Sequence, residues 1–441
     1  MEKDFIRGIY LHDGFIFEPR ERCPFFWVYE YWKKYLDWLA SLGINAIEFC
    51  TQAAFLRKPS TETEFRRIEI MKRVIKYAHQ KGMKVWYIVA SNVLSKVPAG
   101  EEPIDQRDKD AYEEPCPMNP EARGKIIAAA SYFFEQYEGI DAFELFAGDW
   151  GGCNCGKCDY TTYLGLARDY YNEIRKFNKT AEVYLNTWAV SYWQEYDKIN
   201  PEWLKIFDDE ARLSMKVAEA LEDMPVDVGI CLPFHHLYRP LAIAGRNAEQ
   251  CPAWPDRQMV EKIHQQGRKV FAWPHFIMEN DPIHIGRWGF MNARLSYLRA
   301  LLEQLEPLDL DGIIGNLYNP QMQPLMAFAF AAMTKDSSIS DEDILMKFAS
   351  MLVAENDAGK LYNVLAFIEN NDPWQADLPE SWKTRHVECK KGWSDVMDII
   401  KGITARADNP GVLQLCPSDC LKVIESTLEQ LEKKPLTGSL S

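Results

Sequence analysis

Short runs of branched and aromatic residues alternate along the chain with longer segments whose apolar positions recur every three to four residues, the pattern of parallel strands joined by helices. Strands are expected at Ile6 to His12, Ala46 to Thr51, Lys84 to Ser91, Ala142 to Gly148, Glu182 to Trp188, Val226 to Leu232, Val270 to Pro274 and Gly312 to Leu317. Helices are expected at Tyr29 to Ser41, Glu64 to Gln80, Pro120 to Tyr137, Tyr160 to Phe177, Pro201 to Glu222, Asp256 to Gln265 and Met291 to Leu305. Gly43, Gly82, Gly139 and Gly267 each stand between a helix and the next strand, where a left-handed cap is needed. Eight such units predict an α/β fold, a (β/α)8 TIM barrel over residues 1–336, rather than an open doubly wound sheet. No Gly-x-Gly-x-x-Gly follows the first strand, which counts against a nucleotide-binding sheet. Ser338 to Asp343 carries a helix-start signature and amphipathic segments continue to Leu431, so residues 337–441 are expected to form a C-terminal helical domain.

Composition narrows the function classes. The 441 residues, 47% of them hydrophobic, suffice for a large core. A net charge of -15, spread along the chain, argues against nucleic acid or an anionic membrane as partner. No uninterrupted apolar run reaches the roughly 20 residues of a membrane span, and the first residues lack the plan of a secretion signal. With 11 cysteines, an odd number, reduced thiols and a cytoplasmic setting are expected, although a processed secreted form would look the same. A homo-oligomer is compatible with all of this.

In a barrel of this kind, ligand chemistry gathers at the C-terminal strand ends. Those ends carry His12 and Asp13; Glu48; Ser91 and Asn92; Glu144 and Asp149; Asn186 and Trp188; His235 and His236; Trp273, His275 and Glu279; Asn316, Tyr318 and Asn319. Indoles and phenols that stack on pyranose faces, set among paired donors and acceptors, suit a sugar. Asp13, Asn92, Trp188, Trp273, His275, Asn316 and Tyr318 are the substrate-binding candidates, against the plainer reading that the aromatics only cover loops. Asp149 is the candidate general acid/base, with Glu48 or Glu279 as its partner; the plainer reading makes Asp149 the cap of a turn at Gly151-Gly152. Glu144 lies within its strand, and if it points inward it must be paired or protonated.

Cys153, Cys155 and Cys158 have the spacing that wraps one tetrahedral ion, and Gly152 and Gly156 loosen the backbone between them. Cys116, just before the third helix, is the candidate fourth ligand. Four sulfurs leave no open position, so a structural zinc is expected to fix the loop carrying Asp149. Free thiols, a disulfide or an iron-sulfur cluster are the alternatives.

Cys-Pro-Met-Asn-Pro-Glu-Ala-Arg (Cys116 to Arg123), followed by Gly-Asp-Trp-Gly-Gly-Cys-Asn-Cys-Gly-Lys-Cys (Gly148 to Cys158), resembles a pattern in bacterial TIM-barrel proteins related to family 20 glycoside hydrolases. The resemblance covers mainly residues 80 to 180 and implies a strand-four acid, here Asp149. Family 20 enzymes place an Asp-Glu pair at this point, whereas Asp149 is followed by Trp150, so the acid is expected to pair with a carboxylate from another strand. The reading reached is a glycoside hydrolase acting on a small oligosaccharide or glycoside, retaining or inverting according to the carboxylate spacing. Its alternatives are a non-catalytic carbohydrate-binding barrel with a structural zinc loop, and a metal-dependent enzyme in which His12, His235 or His275 joins a carboxylate around a second ion.

Overall fold

The computed structural model describes residues 5–11, 24–51, 61–96, 101, 112–148, 152–153, 155–193, 212–233, 257–274, 295–317, 324–371, 391–392 and 394–403. Eight parallel strands close into a barrel: β1 (Ile6–Leu11), β2 (Ala46–Thr51), β3 (Lys84–Ala90), β6 (Ala142–Phe146), β7 (Glu182–Asn186), β8 (Val228–Pro233), β9 (Val270–Trp273) and β10 (Gly312–Asn316). Each expected strand is present, shifted by at most two residues at either end. They read clearly because both faces are covered, which makes each a short continuous apolar run. The ring closes where β1 pairs with β10, from Ile6 opposite Gly312 to Tyr10 opposite Asn316.

Period two sends every second side chain inward. Tyr10, Trp86, Ile88, Phe146, Tyr184, Cys231, Phe271, Trp273 and Ile314 make a buried cluster. Trp86 and Tyr184 stack at 4.8 Å and an 11° tilt, and Phe271 sets its edge on both.

Helices alternate with the strands: α1 (Tyr29–Leu42), α2 (Glu62–Gln80), α3 (Pro120–Gln136), α4 (Tyr160–Phe177), α5 (Arg257–Gln265) and α6 (Leu295–Leu305). The helix-to-strand glycines Gly43, Gly82, Gly139 and Gly267 all have φ between 73° and 83°. The first turn of α2 begins two residues before the expected Glu64, because Thr61 and Glu64 form a reciprocal capping box. Of the helix expected over residues 201–222, the described part is helical from 212 to 219 and continues as a 3-10 turn, Ala220–Asp223. An antiparallel pair of two-residue strands, β4 (Leu94–Ser95) and β5 (Tyr112–Glu113), follows β3. It was not expected, since two residues are too short to show alternation.

The chain divides into two compact units, one of residues up to 275 with 303–319, the other of 276–302 with 320–441. The second holds α7 (Pro324–Lys335), α8 (Asp341–Leu352) and α9 (Glu355–Asn371). It thus takes in α7, whereas the sequence reading set the division at 336 and 337. Within this unit Arg299 donates to the carbonyls of Ser337 and Ile339 and pairs with Asp341, locking the turn between α7 and α8. Among the described residues no helix is long and apolar enough to cross a membrane.

Candidate functional site

The exit of β6 is held from three sides. Trp193 Nε1 donates to the Ala147 carbonyl at 2.7 Å, and Ser91 Oγ donates to the same oxygen at 3.0 Å. Tyr163 of α4 donates to the Leu145 carbonyl at 2.7 Å, two residues earlier and so on the same side of the chain. Gly148 then passes so close to the next strand's exit that a Cβ would lie 2.3 Å from the Ala189 carbonyl oxygen. Only glycine fits there, whatever its torsions. Gly148→Ala is therefore expected to cost about 1–3 kcal/mol through forced backbone displacement, read as a lowered melting temperature; an unchanged one would show that the two strand exits part easily.

Asp149 lies just beyond, outside the described residues, as do Asp13, His275, Glu279 and Tyr318, and His12, His235 and His236. The chain is described again from Gly152, and there too it is fixed. Asn92, fully buried, accepts from the Gly152 N–H at 2.9 Å and donates to the Gly152 carbonyl at 2.8 Å and the Pro115 carbonyl at 3.1 Å. Both N–H donors of its amide, and one acceptor site of its oxygen, are thus used on backbone. Expected to bind substrate, Asn92 is seen joining the two segments that carry the cysteines.

Cys116, Cys153, Cys155 and Cys158 bring their sulfurs within 4.8 Å of one another. The Sγ separations are 3.7 Å for Cys116 and Cys155, 3.6 Å for Cys116 and Cys158, and 3.5 Å for Cys155 and Cys158. A tetrahedral ion with sulfur at about 2.3 Å needs edges of about 3.8 Å, while a disulfide needs about 2.05 Å. The four-thiol set therefore fits a metal ion and not a disulfide. Gly152 (φ 83°) and Gly156 (φ 67°) adopt the left-handed turns that fold three sulfurs to one point. Burial opposes ionisation of Cys155, but the N–H groups of Lys157 and Cys158 and the Cys153 thiol outweigh it and bring Cys155 down to about 6. Burial pushes Cys158 up to about 11.

The rest of the motif has local work. Asn119 caps α3, accepting from Glu121 and Ala122 N–H groups at 2.9 and 3.3 Å, and Pro120 takes the first turn. Arg123 crosses to α4, where it bonds Asp169 at 2.7 Å and the Gly165 carbonyl at 3.1 Å. Asp159, directly after Cys158, caps α4 in turn. The motif thus joins two helix starts and one sulfur cluster.

Inside the barrel stands a pair of acids. Glu48 of β2 and Glu144 of β6 are both 0% exposed, and each carboxyl acts on the ionisation of the other. Their strands are second and fourth around the ring, and alternate strands share a layer in such barrels. Trp273 Nε1 donates to Glu48 Oε2 at 2.9 Å. Asn186 Nδ2 donates to Glu144 Oε1, and the Cys231 thiol bonds the same carboxyl. Asn186 Oδ1 accepts the Trp188 N–H at 2.7 Å. Burial, and then the charge and hydrogen bond of Glu144, hold Glu48 well above the usual carboxylate range. Burial also raises Glu144, with donors from Asn186, Cys231 and Glu48 drawing it back.

Glu48, which the sequence reading pairs with Asp149, has Glu144 as its neighbour in the described structure. Both side chains point inward, since each is the third residue of its strand and shares the parity of Ala46 and Ala142, which belong to the interior cluster. Trp188 and Trp273 do come together, with ring centroids 6.2 Å apart, and Trp273 also meets Tyr10 and Phe146. Asn316 is buried at the end of β10, in register with Tyr10.

No protein-family model matches the chain, and no curated protein is similar to it in sequence. Solved structures do share its fold. A mutant O-GlcNAc hydrolase of Thermobaculum terrenum superposes with a TM-score of 0.53 at 12% identity, over 98% of this chain and 82% of that one. CpGH84D gives 0.54 at 12% identity, over 98% and 66%. A GH138 enzyme targeting pectin rhamnogalacturonan II gives 0.52 at 8% identity, over 97% and 58%. The chain thus spans less than two thirds of the last two, and at these identities the likeness is one of fold, an eight-stranded barrel shared with glycoside hydrolases, while kinship to family 20 rests on the motif alone.

Proposed function

We propose that the protein is a glycoside hydrolase that cleaves a small oligosaccharide or glycoside at the C-terminal end of its barrel. The observation that carries this reading is the anchoring of the chain on both sides of Asp149, at Gly148 against Ala189 and at Gly152 on Asn92. A carboxyl delivered from two fixed points can meet a leaving-group oxygen without a reorganisation cost at each turnover. Asp149 is the acid/base, and Glu279 is its candidate partner from another strand; Glu48 serves from within the barrel. Trp188 and Trp273 supply the apolar face for a pyranose ring, with Asp13, His275, Asn316 and Tyr318 as candidates to bond its hydroxyls.

The four cysteines hold a zinc ion in this reading. Closed by four sulfurs, it has no position for substrate, and its work is to keep the β6 loop and the start of α3 together. A second reading, a barrel that binds carbohydrate without cleaving it, draws on Trp150 standing where an Asp-Glu pair would place its Glu. Incubation with nitrophenyl hexosaminides, uronides and neutral hexosides, alongside calorimetric titration of the corresponding free sugars, separates the two. Turnover on one class is expected. Binding without turnover on any member would favour the binding barrel.

A further inference from the structure

Two oxygens in the barrel interior, Glu48 Oε1 and Glu144 Oε2, are buried with no hydrogen-bond donor among the described residues. Two adjacent carboxylates in a dry interior would leave both lone-pair sets unsatisfied and two like charges in contact, at a cost far above that of keeping a proton. The described surroundings offer no cation: Asn186, Cys231 and Trp273 bond the pair, and the Tyr163 hydroxyl is turned to the Leu145 and Asn186 carbonyls. One proton shared by the pair lets the protonated carboxyl donate and the carboxylate accept.

The donors decide which acid keeps it. Among the described residues Glu144 receives Asn186 and Cys231 besides its partner, whereas Glu48 receives Trp273 alone. We propose that Glu48 and Glu144 are positioning residues sharing one proton, carried on Glu48 with the negative charge on Glu144, and that the pair sets the Trp273 indole and the Asn186–Trp188 turn at the barrel mouth. The chain of bonds runs from Trp273 of β9 through Glu48 and Glu144 to Asn186 of β7 and the Trp188 backbone, so it holds the Trp273 indole and the backbone that carries Trp188. Use of those indoles as a sugar platform rests on the glycosidase reading; the shared proton does not.

Glu48→Gln is the decisive variant, because its amide can donate to Glu144 while its carbonyl accepts from Trp273. The infrared spectrum of the full chain at neutral pH is expected to show the carbonyl stretch of a buried protonated carboxyl, lost in Glu48→Gln. The absence of that band from the wild type, or its survival in Glu48→Gln, overturns the assignment. Stability against pH reads the same proton. Glu48 is raised above its unfolded value, so its contribution is complete at acid pH and declines as rising pH strips the proton from the unfolded chain first. As the pH rises above the unfolded carboxylate range of about 4–5, the wild type should take up about one proton more on folding than Glu48→Gln, seen as a steeper loss of stability; equal slopes refute the proposal. Near-ultraviolet circular dichroism tests the positioning role: the signal of the paired indoles should persist in Glu48→Gln and change in Glu48→Leu. Identical spectra in all three proteins would show that the pair does not orient them.

Discussion

Asp149→Asn is expected to lower turnover of whichever nitrophenyl glycoside the wild type cleaves by about 10²–10⁴-fold, the usual worth of a positioned acid/base. The substitution keeps size and most hydrogen bonding, so melting temperature and sugar affinity should stay near wild type. The loss should fall on kcat, because an acid group contributes as the leaving oxygen gains charge and little before. A substrate whose leaving group needs no proton, such as a dinitrophenyl glycoside, should recover part of the first chemical step. Equal turnover by wild type and Asp149→Asn would remove Asp149 from the mechanism and turn attention to Glu279.

Cys158→Ser is expected to abolish tight metal binding and to loosen both the β6 loop and the start of α3. Cys158 is the buried member of the set and lies next to Asp159, the cap of α4. A bound ion adds about 4 kcal/mol of stability when its free concentration is 1,000-fold above Kd, so the substitution, or a strong chelator, should lower the melting temperature markedly. Metal content by atomic emission, compared with melting curves before and after chelation, measures this. Stability and activity should fall together. If chelation abolishes activity while the melt is unmoved, the ion is catalytic, as the reading with His12, His235 or His275 requires; if no metal accompanies the wild type, the four thiols are free.

Most of the barrel was legible because its signals are local. A strand covered on both faces is a short apolar run, and a helix that must turn back into it ends on a left-handed glycine; both features lie within a few residues. The cysteine set was legible for a related reason: three of its members are within six positions, and the fourth could be sought on the same rim. The pairing of Glu48 with Glu144 was not. It depends on the stagger of the closed sheet, which places alternate strands in one layer and leaves no mark near either residue. Asn92 shows the same limit from the other side: a polar residue at a strand end looks like a ligand contact until the backbone groups that occupy its amide, 23 and 60 positions away, are seen.

The spacing of the sulfur cluster also orders events during synthesis. Cys116 waits for Cys155 and Cys158, which follow 39 and 42 residues later, yet all four thiols are present once the chain has reached residue 158. Closure of the ring needs β10, which ends at Asn316. A nascent chain can therefore capture an ion when only four of the eight barrel strands have been made, cross-linking a half-barrel whose two edges are still open. Such an early clasp would tie the start of α3 to the chain that leaves β6 before the remaining strands are made.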